Sequence, residues 1–108
     1  MSQDQSSPPR PYLDFKQKYP EVVGAYEQLG VVCLNSGSLD NKSRALIKLG
    51  IAFGAGLESA SHAHVRKARD AGANAEEIRH AALLATTTIG FSSMMRSMSW
   101  VNDVLGRD

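Results

Sequence analysis

Two histidines, His62 and His64, stand in the stretch Leu57-Glu58-Ser59-Ala60-Ser61-His62-Ala63-His64, and imidazole is the side chain best suited to moving protons near neutral pH. On a helix, Leu57, Ala60, His64, Ala68 and Ala71 are spaced three, four, four and three apart, so they share one face and His64 is expected to point inward with small apolar neighbours. His62 lies about 200° round the same helix. The His-x-His pair is therefore a poor chelate, and no metal is expected. Glu58 and His62 are four apart and Ser61 and His64 three apart, so each pair can touch. A lone histidine on an apolar stripe is more often a hydrogen-bonded core residue than a catalyst, and an ordinary surface or interface role is expected for His62 and His80. Thr86-Thr87-Thr88 and the serines 92, 93, 97 and 99 read as helix-end and packing residues. No G-x-S-x-G elbow is present to make any serine a nucleophile. Glu76 and Glu77 sit where a helix dipole favours acids without any catalytic role.

Composition narrows the setting. The chain has 108 residues with twelve basic and eleven acidic side chains, a net charge of +1, and the charges do not segregate along it. Phosphate backbones need a clustered Lys/Arg excess, so nucleic acid is not an expected partner. The longest apolar-leaning run, 45–57, is too short to span a bilayer and is interrupted by Lys48, so no membrane partner is expected either. MSQDQSSPPR holds no apolar segment of the secretory kind, which predicts a cytoplasmic protein. A single cysteine, Cys33, forbids an intrachain disulfide and a Cys-x-x-Cys pair, and reads as an inert core thiol. No cofactor is expected.

The elements that must position His64 read as all-α. Residues 1–10 are polar and proline-containing and read as a flexible tail, leaving 11–108 as one helical domain. The expected helices are Pro11 to Lys18, stopped before Pro20; Pro20 to about Leu34, with Val22, Val23, Tyr26, Leu29, Val32 and Cys33 inward; and a third opening near Asp40 or Asn41, with Leu46, Ile47, Leu49, Ile51 and Phe53 round most of its circumference. A fourth runs from Leu57 to Ala71 and ends at Gly72. A fifth is opened by the Asn74/Glu77 capping box and runs to about Thr88. The last, Phe91 to Leu105, is lined by Phe91, Met94, Met95, Met98, Val101 and Leu105, a stripe at core or interface spacing rather than a cofactor box.

The stretch LDNKSRALIKLGIAFGAGLESASHAHVRKARDAGANAEEIRHAALLATTTIGF resembles the core of the carboxymuconolactone decarboxylase family, the helical superfamily that also holds the AhpD-type alkylhydroperoxidases. Its most specific piece is His64 opening His-Val-Arg-Lys-Ala, then Gly72, then Glu76-Glu77-Ile78. The likeness covers about Leu39 to Val104 and implies an AhpD-like bundle of about five to six helices that assembles as a homo-oligomer, a trimer or hexamer. The dithiol peroxidases of the superfamily use Cys-x-x-Cys-x-x-x-His with a glutamate twelve residues before the first cysteine. Anchored on His64, those positions fall on Leu57, Ala60 and Ala45, so three of four parts are missing and peroxidase activity is expected to be absent. The decarboxylase branch lacks the cysteines and keeps the histidine. That likeness implies a lyase acting on a small lactone or carboxylic acid, with His64 as acid/base, Glu58 or the Ser61 hydroxyl orienting it or touching substrate, and Arg66, Arg96 or Arg44 holding a carboxylate. Two other readings stand beside it: a non-catalytic structural or ligand-binding oligomer in which His64 satisfies a core hydrogen bond, and a redox accessory protein working through Cys33.

Overall fold

The structure, a computed structural model, describes residues 7–107; most of the polar tail expected over 1–10, and Asp108, lie outside the described residues. The described chain is all-α, with helices α1 (Arg10–Lys18), α2 (Pro20–Leu34), α3 (Asn41–Ala55), α4 (Glu58–Asp70), α5 (Ala75–Leu83), α6 (Thr86–Ile89) and α7 (Phe91–Leu105). No described helix is long and apolar enough to cross a membrane. Contacts divide the chain into two compact units, Pro8–Asp40 and a larger one beginning at Asn41.

The smaller unit is the pair α1 and α2. Pro20 opens α2 as its first residue, where the missing N–H costs nothing. Of the six α2 positions expected inward, only Val23 is buried, and Cys33 is exposed rather than a core thiol. The physical reason lies in the sequence: apolar residues are spread round α2 instead of gathering on one stripe, so no single packing partner covers them.

The larger unit holds the core. Leu49 and Phe53 of α3, Val65 and Ala68 of α4, Ile78 and Ala82 of α5, and Trp100, Val101 and Val104 of α7 form one cluster. Helix α5 opens on the expected capping box: the Asn74 side chain accepts from Glu77 N–H at 2.8 Å, and Glu77 Oε1 accepts from Asn74 N–H at 2.9 Å. Lys42 Nζ donates to the other Glu77 oxygen at 2.9 Å, and these bonds hold the Glu77 carboxyl below its usual range. The helix expected to run to Thr88 breaks at Leu84-Ala85. Thr86 and Thr88 donate their hydroxyls to the carbonyls of Leu83 and Leu84, and such side-chain bonding competes with a continuous helix. Gly72 closes α4 as expected with a positive φ of +99°, and Gly90, between α6 and α7, also takes a positive φ, +103°.

On α7 the buried positions are Met94, Ser97, Trp100, Val101 and Val104, while Phe91 and Met95 are exposed. The stripe is rotated from the expected one because Trp100 has the largest apolar surface on the helix and turns inward, and because Ser97 enters the core by donating to Ser93 O at 2.9 Å.

Candidate functional site

Helix α4 has three faces with different jobs. Ser61, Val65 and Ala68 point into the core. His64 lies one residue off that stripe, half-buried, on the flank toward α3. There it lines a cavity of about 170 Å³ with Lys48, Ile51, Ala52 and Ala55 of α3 and with Leu57 and Ala60 at the start of α4. Of the five positions expected on one inward face, Leu57, Ala60 and His64 share the cavity wall, whereas Ala68 packs in the core with Val65 and His64 is half-buried rather than inward. The two positions that the resemblance equates with cysteines present only carbon to the cavity. Burial first, then the charges of Lys67 and Lys48, lower the His64 pKa from its ordinary 6.5 to about 4. At neutral pH its ring is uncharged: a base and a hydrogen-bonding group.

His62, for which an ordinary surface or interface role was expected, sits on the opposite flank and is the more buried of the two histidines, 6% exposed. Its Nε2 lies 2.9 Å from Asp103 Oδ2 on α7, and Glu58, one turn back on α4, brings its carboxylate into the same cluster. Glu58 therefore belongs with His62 and not with the His64 cavity. Ser61 is fully buried in the core wall, and its Oγ has no hydrogen-bond partner among the described residues.

None of the three arginines considered as carboxylate holders lines the His64 cavity. Arg66 is 8% exposed, and burial, then the nearby charge of Arg69, lower its guanidinium pKa, with Asp70 acting the other way. Arg96 stacks over Trp100 with its guanidinium carbon 5.1 Å from the ring centroid, close against Gly56. Arg44 is engaged with Asn41. The cation at the cavity is Lys48, whose sequence signal was a single charge interrupting an otherwise apolar run. Asp103 had no local signal, because it is 41 residues from His62 and reaches it only through the packing of α7 on α4.

A larger groove, about 510 Å³, lies along α3, α5 and α6, with walls that include Leu46, Ile47, Phe53, Leu84 and Ile89. Its polar members are few, and Glu77 is already bonded to Lys42. His80 gives this groove an imidazole too, with Thr88 also on its wall, but its lining is mainly apolar and suits a partner surface, whereas the smaller cavity is lined by both an imidazole and a cation, His64 and Lys48.

The chain belongs to the carboxymuconolactone decarboxylase family, the match extending over residues 20–103. No curated protein and no solved structure matches it.

Proposed function

We propose that the protein is a lyase of this family that removes carbon dioxide from a small lactone acid in the His64 cavity. The observation that carries this reading is the meeting of His64 and Lys48 in one otherwise apolar pocket. Lys48 holds the substrate's carboxylate side or the oxygen of the developing enolate, where a fixed positive charge in a partly dry site stabilises charge as it forms. The bond between the carboxyl carbon and the ring carbon breaks, carbon dioxide leaves, and the electron pair is held as an enolate. The ring carbon then takes a proton that His64 relays from solvent. Leu57 and Ala60 confine the substrate and contribute no sulfur chemistry. Cys33, on the exposed α2, lies outside the motif, so peroxidase activity of the dithiol kind is not proposed.

Lys48→Met tests this: it keeps the aliphatic stem and removes the charge. Affinity for a small lactone acid, read by calorimetry or by a KM, is expected to weaken by about tenfold or more, the loss of one charge-assisted contact. Unchanged affinity in Lys48→Met would overturn the assignment of the cavity as an acid site.

The same reading includes a cytoplasmic homo-oligomer, a trimer or hexamer. Ile47, Leu83, Leu84, Ile89 and Phe91 are all exposed on the larger unit, an apolar area that favours burial against another copy. Sedimentation equilibrium is expected to return a multiple of the chain mass. A monomer at micromolar concentration would contradict it.

A further inference from the structure

We propose that Glu58, His62 and Asp103 form a binding site for one divalent transition-metal ion on the seam between α4 and α7. The site is separate from the His64 cavity and does not depend on the activity assigned to it: His62 and His64 leave α4 about 200° apart.

The donor atoms of the three residues all lie within 4.8 Å of one another, and His62 Nε2 is 2.9 Å from Asp103 Oδ2. Metal bonds to imidazole nitrogen and carboxylate oxygen are about 2.0–2.2 Å long, which places neighbouring donors about 3–3.5 Å apart. The His62–Asp103 spacing is already near that, so only the Glu58 carboxylate must draw in. It can, because Glu58 is exposed and lies one helical turn from His62, the i, i+4 spacing that lets two ligands on one helix share an ion.

Rigidity and access point the same way. His62 is held by packing, so its ring is oriented before any ion arrives, as a well-formed site requires. The Asp103 side chain is 44% exposed, which leaves a path from solvent and room for water on the remaining coordination positions. Charge supplies the further argument. Among the described residues no lysine or arginine forms an ion pair with Glu58 or Asp103. Two carboxylates brought this close with no lysine or arginine paired to either repel each other, and a bound dication would reverse that. One nitrogen with two oxygens favours the borderline ion Zn²⁺, with the harder Mn²⁺ as a weaker competitor, over Mg²⁺, which prefers an all-oxygen octahedral shell.

The competing explanation is a His62–Asp103 hydrogen bond that serves packing alone, and the experiment separates the two. The full chain is stripped with a chelator, dialysed and titrated with Zn²⁺ against a chromophoric competitor, and with Mn²⁺ by electron paramagnetic resonance, with circular dichroism confirming that each variant is folded. One equivalent of Zn²⁺ per chain is expected, with Mn²⁺ competing for the same site and His80→Gln binding as the parent does. Asp103→Asn and Glu58→Gln are each expected to weaken binding by about 10- to 100-fold. Glu58 is exposed, so Glu58→Gln keeps the test open should Asp103→Asn fail to fold. Absence of saturable binding, or stoichiometric binding that survives Glu58→Gln undiminished, overturns the proposal.

Discussion

Replacing His64 by asparagine is expected to lower the turnover of a small lactone acid by about 10²- to 10⁴-fold, the usual worth of one positioned acid/base group, while the helices stay folded. Asparagine keeps a hydrogen-bonding side chain of similar reach and removes the titrating nitrogen. The ring is half-buried at a cavity wall rather than locked in the core, so little packing is lost. A pH signature accompanies the kinetic one. With a folded-state pKa near 4 against 6.5 for the free side chain, the unfolded chain binds the proton first as pH falls. His64 therefore contributes no penalty above about pH 6.5. Between about 6.5 and 4 it costs stability progressively, about 1–2 kcal/mol in total once solvent screening of a partly exposed group is allowed for. Urea unfolding of the parent and of His64→Asn across that window is expected to show a shallower acid loss in the variant. A rate unchanged by His64→Asn would remove the imidazole from the chemistry, whatever the unfolding curves show.

The features legible in the sequence were those set by neighbours on the chain. Asn74 and Glu77 are three apart and cap each other by local geometry alone, and Gly72 marks a helix boundary because it carries the conformation that other residues avoid. The wall made by Leu57, Ala60 and His64 was readable in part: helical spacing put them on one face, but together with Ala68, which packs in the core beside Val65 instead. What the sequence did not disclose depends on which helix arrives opposite. Helical spacing put His62 on another side of α4 from His64 but could not say that α7 covers that side, so its pairing with Asp103 went unseen behind an expected surface or interface role. Arg96 was a plausible carboxylate holder until Trp100, one turn along α7, claimed its guanidinium. Lys48 shows the converse: periodicity treats it as an interruption, and only the packing of α3 against the start of α4 turns the interruption into a charged cavity wall.

Phe53→Ala is expected to have the largest effect on stability, about 3–5 kcal/mol. Phe53 is 1% exposed and belongs to the cluster that joins α3 to α4, α5 and α7. Removing its ring leaves a void that those helices, each fixed by other contacts, can only partly close. Domains of this size are commonly stable by about 5–15 kcal/mol, so the loss is a large share of the total. Ile51→Ala, two residues away on the same helix, is the comparison that gives the measurement its meaning. Ile51 is 65% exposed, and its truncation is expected to move stability by no more than about 0.5 kcal/mol. It nonetheless lines the His64 cavity, so the same variant should loosen the hold on a small acid. Urea midpoints for both variants, taken at one protein concentration because assembly would couple to folding, read the two effects apart. A marked fall for Phe53→Ala with almost none for Ile51→Ala places the core on one side of α3 and the cavity on the other. Equal losses would mean that α3 is buried on both sides and that the cavity is part of the core.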